Sequence, residues 1–383
     1  MNTRVVGRQL GATVLLLVGC GSGTGATSET PPDVVTEVRV MVDSATARRL
    51  LDADRQFHTR FPGEAPRLAV AGTPPPGERL IGRNRQWGAM YASRFQMGTG
   101  TAHRMLLAAG ARAEAQRAFD GIEAGFSTME ASGRLPARVP ASVSMGQSMS
   151  DADVASGAAF FLGDACTALL ALAAHPDGGS LIAASRQAEV QEKAVRSAAW
   201  LHTQAPLLLA ADAAAPNRLL FDARALLACT ALAPDDVLRR SAETFVQRAL
   251  QLQSPEGWFV EGGSWDTNYQ AVALEIGADV HAVMPDGAIR NALAAALVRG
   301  AAWLTARVDA QGRVDSRGNR RTCSGGESFL GTPKSLSLPS VVTGLGRVTA
   351  SVGDVPGAAG AVQRAYQWAV ANPERDPCHE GGV

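Results

Sequence analysis

The chain has 383 residues, 46 % of them hydrophobic and 5 % aromatic, and its 36 basic residues balance its 36 acidic ones. That apolar share supports a large core and excludes wholesale disorder. The zero net charge argues against a protein built chiefly to hold nucleic acid, which leaves a basic footprint.

The first element is residues 1–19, with Arg4 and Arg8 before the apolar run Leu10–Val18. The run is short of the about 20 residues needed to span a bilayer, so it reads as a secretory signal peptide. Leu17-Val18-Gly19-Cys20 resembles the lipobox of bacterial lipoproteins. The resemblance implies cleavage before Cys20, diacylglycerol on its sulfur and a further acyl chain on the new amino terminus, together enough to hold a protein on a membrane. Residues 20–36 are small and polar, with Pro31-Pro32, and read as the lipidated cysteine and a flexible tether. Gly21 and Ser22, with no Asp after the cysteine, resemble Gram-negative lipoproteins of the outer membrane, facing the periplasm or the cell surface.

Residues 37–383 read as one helical domain. Val34–Val42 has the alternation of a short strand. Apolar residues recur at helical spacing over 84–109, 112–131, 153–174, 188–204, 217–232, 236–253, 267–283, 287–306, 338–352 and 357–371, and 44–60 reads as another helix before them. Alanine, the best helix former, fills 69 positions, while lysine fills two, Lys193 and Lys334. Ser197-Ala198-Ala199-Trp200-Leu201 returns as Gly300-Ala301-Ala302-Trp303-Leu304, and such recurrence marks stacked helical hairpins. The expected fold is all-α, an α/α toroid of five to six hairpins in preference to an open solenoid. Long links within the hairpins, at 132–152, 205–216, 254–266 and 307–337, gather at one end, as binding loops on a rigid scaffold do.

Export permits disulfides. Cys323 and Cys378 lie in polar loop and tail sequence, where a bridge can form. Cys166 and Cys229 sit in apolar helical sequence, where a buried small hydrophobe is the default. The six histidines are scattered without HxH or HExxH spacing, so neither a metal site nor a cofactor is expected.

Residues 254–270 (SPEGWFVEGGSWDTNYQ) concentrate Trp258, Trp265, Tyr269 and the carboxylates Glu256, Glu261 and Asp266 immediately before a clean helix. This stretch resembles the loop that enters an inner helix in α/α-toroid polysaccharide lyases and related carbohydrate-active enzymes, where a G-x-F-x-E-G-G-x-x-D-x-x-Y pattern shapes the sugar cleft. The likeness of architecture covers about 280 residues and the motif about 15. It implies an acidic polysaccharide or oligosaccharide as partner and elimination as chemistry. In such a lyase Tyr269 would serve as base or acid and Asn268 would neutralise the uronate carboxylate. Arg320 or Arg321 would assist from the next long loop. Trp258 and Trp265 would stack on sugar rings, with Gln270 and the carboxylates taking hydroxyls. Toroidal lyases often use a histidine; none stands beside the motif, leaving His103 or His202 to approach in space.

Two other readings stay open. A two-carboxylate glycoside hydrolase would pair Glu261 or Asp266 with Glu327. A non-catalytic module that binds glycan or assembles the envelope needs only the tryptophans and a polar groove. Asp266, just before a helix, is also placed to cap it.

Overall fold

The computed structural model describes residues 41–62, 98–136, 150–329 and 332–378. Cys20, the tether and most of the expected strand at Val34–Val42 lie outside them. The chain is all-α, with thirteen α-helices among the described residues. Capping follows the sequence. Ser150 accepts from the Asp153 amide ahead of its helix, Asp235 from Val237 and Leu238, and Asp266 from Asn268 and Tyr269, each satisfying amides left free by the first turn.

The helices divide by how many faces they bury. α4 (Asp151–Ala174), α8 (Pro216–Thr230), α10 (Thr267–Val283) and α12 (Leu338–Ser351) are buried around their whole circumference. α6 (Ala184–Thr203), α9 (Asp236–Gln251), α11 (Ala288–Thr305) and α13 (Ala358–Ala371) bury a single stripe, as helices facing solvent do. Each stripe packs on the buried helix before it. Buried helices pack on one another in chain order, α2 (Thr99–Ala108) on α4, α4 on α8, α8 on α10 and α10 on α12, while α3 (Arg112–Phe126) covers α2. α1 (Ser44–Arg60) touches both α12 and α2, and also α4 and α10. α4 is apolar and long enough to cross a membrane, but 89 % of its most apolar window is buried inside the protein, so it serves as the central core helix.

Some expectations are revised. The link 205–216 contains a short helix, α7 (Ala205–Ala211), started by Pro206 in its first turn, where proline is well tolerated. A further single turn, α5, spans Gly178–Leu181, and α3 ends at Phe126. Met41 and Val42 form no strand; the Met41 and Asp43 amides donate to the carbonyls of Leu232 and Ala231 at the end of α8.

Cys166 and Cys229, expected as separate buried side chains, are joined in a disulfide between α4 and α8. The two helices are neighbours, and the cysteines sit at one height with their Cα atoms 5.2 Å apart. Cys323 and Cys378 form a second bridge. Replacing Cys166 and Cys229 together with alanine removes a link across 63 residues and is expected to cost about 2–4 kcal/mol in chemical denaturation.

The core holds a cluster of charges. Arg104 of α2, Arg224 of α8 and Arg347 of α12 are almost fully buried, as are Asp54 of α1, Asp164 of α4 and Asp279 of α10. Arg104 bonds Asp54 and Asp279; Arg224 bonds Asp164 and Asp279; Arg347 bonds Asp54 and Asp279, all at 2.6–3.1 Å. Six helices thus each contribute one charge to the core, and acids alternate with bases along the chain. The three arginines hold the Asp279 carboxyl well below the usual range despite its burial. Small residues make room for this: a side chain at Gly163 would meet the Arg224 guanidinium at 2.7 Å.

Candidate functional site

The two richest loops meet over the end of the buried helices. Oδ1 of Asp266 caps α10, and its Oδ2 accepts from the Arg321 and Thr322 amides at 2.9 and 2.8 Å. Asn319 accepts from both the amide and the hydroxyl of Thr267, and the Arg320 amide donates to the Trp265 carbonyl at 3.0 Å. Loop 307–337 is thereby zipped onto loop 254–266. Beyond Arg321 it forms a hairpin not expected from the sequence, Ser328–Phe329 against Thr332–Pro333. At its base the Lys334 amide donates to the Glu327 carbonyl, which sets these two residues side by side. The Cys323–Cys378 bridge ties the same loop to the C-terminal tail.

Beneath the loops lies a cavity of about 360 Å³. Arg218, Asn268, Tyr269, Arg321, Glu327 and Lys334 line it on the loop side, Met105, Phe160, Phe221, Val272 and Ile276 along the walls, and Asp164, Arg224 and Glu275 at depth. Tyr269 is the centre of the polar cluster. Its hydroxyl donates to Glu327 at 2.8 Å and bonds the Lys334 ammonium. The Arg321 guanidinium lies over its ring, 4.2 Å from the centroid, and also donates to Glu327 at 3.0 Å and to Glu261.

The electrostatics separate these groups. Burial, opposed by Arg321 and reinforced by Glu327, pushes the Tyr269 hydroxyl above its usual range; it therefore stays protonated and acts as a donor. Burial works against ionising Glu327, but Lys334, the Tyr269 hydroxyl and Arg321 together hold its carboxyl below the usual range. Glu275 goes the other way. Burial pushes it up to about 7, with Arg347 and Arg224 opposing and Asp279 and Asp164 adding to the rise.

Because folded Glu275 binds its proton more tightly than the unfolded chain, whose ordinary value is 4.5, stability falls as pH rises through the interval from about 4.5 to about 7. Glu275→Gln, with no proton to lose, is expected to flatten that part of the profile. A melting-temperature series against pH checks it; an unchanged slope would place the titration elsewhere.

The sequence candidates distribute unevenly. Asn268, Tyr269, Arg321 and Glu327 line the cavity. Asn268 anchors its carbonyl oxygen to the Ser337 amide at 2.8 Å, leaving its amide nitrogen without a partner among the described residues. Glu261, Asp266 and Gln270 do not line it. Glu261 is 2 % exposed and orients Arg321; Asp266 caps and pins; Gln270 accepts from the Phe259 amide at 2.8 Å. Arg320 is exposed and donates to the Gly262 carbonyl. Trp265 packs edge-on against Trp303 with Arg307 over both rings, and Trp258 is half-buried away from the cavity. His103 is buried beside the Ala115 carbonyl, and burial lowers it to about 4, so it is neutral; neither it nor His202 lines the cavity.

The residues that the sequence did not single out are Lys334, Arg218 and Glu275. A lysine in a chain with only two, set in a glycine-rich loop beside Glu327, was a signal for the first. Among the described residues no cluster of His, Cys, Asp or Glu is grouped to hold a metal ion. No protein-family model matches the chain, and no curated protein matches it.

Proposed function

We propose that the protein is a lipid-anchored envelope enzyme, an α/α toroid that cleaves an acidic polysaccharide or oligosaccharide by elimination. The observation that carries this reading is the Tyr269 hydroxyl held between Glu327 and Lys334, with Arg321 alongside, on a cavity. Elimination next to a uronate carboxylate needs that carboxylate neutralised, the adjacent carbon-bound proton removed and a proton given to the leaving oxygen. Arg321 and Lys334 supply positive charge, and Asn268 supplies an amide donor. Glu327, kept ionised, accepts the carbon-bound proton. As the carbon–oxygen bond breaks, protonated Tyr269 donates to the departing oxygen, and the neighbouring Lys334 ammonium stabilises the phenolate until it is reprotonated. Glu261 and Asp266 act behind this group as positioning residues, through Arg321 and the loop backbone.

A second reading has its own support. Two carboxyls on one cavity with oppositely shifted proton affinities, Glu275 raised and Glu327 lowered, are the pattern of an acid–base pair in glycoside hydrolysis. In this reading Glu275 stands where Glu261 or Asp266 was expected to pair with Glu327.

Incubating the purified protein with a panel of uronate polymers separates the readings. Elimination leaves an unsaturated, ultraviolet-absorbing sugar, whereas hydrolysis yields reducing ends without that absorbance. If binding is seen with neither product, the non-catalytic glycan-binding reading replaces both.

A further inference from the structure

Resting on the carbohydrate reading above, we infer that the cavity is a dead end that receives the terminus of an acidic chain, seating the last sugar ring on Glu275 with its carboxylate against Arg321 and Lys334. The inference comes from what lies beneath. Tyr269 and Glu275 are six residues apart on α10, a descent of about 9 Å at 1.5 Å per residue. One further turn down is Asp279, fully buried and bonded by three arginines. The space where a chain would continue is occupied by Arg104, Arg224, Arg347, Asp54 and Asp279, none more than 1 % exposed. A volume of about 360 Å³ is also at the small end of ligand cavities, which run from about 300 to 1,000 Å³. A polymer bound by its middle needs two open ends, and this cavity is stopped at one.

Glu275 supplies the second observation. It lines the cavity, and among the described residues its carboxyl has no hydrogen-bond or ion-pair partner, although Arg347 and Arg224 act on it from below. Glu275 is half-buried and faces the cavity, so a ligand that displaces the water there must bring donors, because a polar group left unsatisfied on losing water costs free energy. The hydroxyls of a terminal ring are donors of the right kind, and they would meet it only after the chain end has travelled the full depth. The apolar walls suit the aliphatic face of a ring: Phe160 and Phe221 pack at 4.1 Å between centroids, and Met105 and Ile276 also line the cavity. The loop side carries Arg218, Arg321 and Lys334 against Glu327, and the depth carries Asp164 and Glu275 against Arg224, so the site is more positive at its mouth than at its floor. This polarity sets which way the chain end enters.

Two measurements on the full mature protein test the inference. In the first, a size-defined oligouronate is digested and the products are sized over time. The expected result is small terminal products from the earliest point, with the remaining substrate close to full length. An early ladder of internal fragments overturns the dead-end cavity while leaving the proposed chemistry standing.

In the second, Tyr269→Phe protein is titrated calorimetrically with oligouronates of increasing length. End-on seating gives one protein per chain whatever the length; several proteins on each long chain overturn it. Neither product nor binding overturns the carbohydrate reading and this inference together. Glu275→Leu is expected to weaken binding of a short oligouronate about tenfold, with Glu275→Gln retaining most of the affinity and neither variant losing its thermal transition. Wild-type affinity in Glu275→Leu removes Glu275 as the seat.

Discussion

Replacing Asp279 with asparagine is expected to lower the unfolding free energy by about 3–5 kcal/mol, the cost of breaking a buried ion pair from one side. Asp279 accepts from Arg104 and Arg224 and forms an ion pair with Arg347, so the variant leaves three buried guanidinium groups with two carboxylates between them. Chemical denaturation gives the measurement, and the surface pair Lys193–Glu189 gives the control. Glu189→Gln should leave stability nearly unchanged, since exposed pairs contribute little. Should Asp279→Asn prove as mild as the control, the network would be tolerated without being needed.

Tyr269→Phe is expected to reduce kcat by about 10²–10⁴, the range for loss of a positioned proton donor, with little change in melting temperature. The ring keeps its packing beneath Arg321, and the lost hydroxyl leaves Glu327 still bonded to Arg321. The readout is the ultraviolet absorbance of the elimination product. A variant with wild-type turnover would exclude Tyr269 from proton transfer. Because the hydroxyl also helps keep Glu327 ionised, the variant's activity should require a slightly higher pH than that of the wild type, a shift that a purely structural tyrosine would not produce.

The helices were the most legible part of the sequence. α1 and α10 have the bounds their periodicity predicts, because apolar spacing and a strong aspartate cap agree at Asp43 and Asp266. The short helix α7 was hidden because Pro206 reads as a breaker, whereas in a first turn it is a starter. The Cys166–Cys229 bridge was hidden for another reason: cysteine spacing does not determine pairing, which depends on which helices become neighbours.

The cavity lining was half legible. Residue type and density pointed to Tyr269, Asn268, Arg321 and Glu327, which line it, while Glu261, Asp266, Gln270 and Arg320 bond within and between the loops. Trp265 was read as a sugar platform, but its ring is packed against Trp303 beneath Arg307. Glu275 escaped because a single acid in a helix normally marks the solvent face. The cue lay in its company. α10 is apolar on every side, so Glu275 and Asp279, one turn apart, have no solvent face to occupy and must point inward together.

The bridge between Cys323 and Cys378 bears on when the site comes into being. It closes over the segment that carries Glu327 and Lys334, joining it to the last described residue of the chain. A chain whose thiols are still reduced holds that segment only through hydrogen bonds such as those to Asp266. The placing of Glu327 and Lys334 at the cavity is thus coupled to oxidation of these two thiols. On the proposed export of the chain, this bridge forms only after the protein has left the reducing compartment in which it was made.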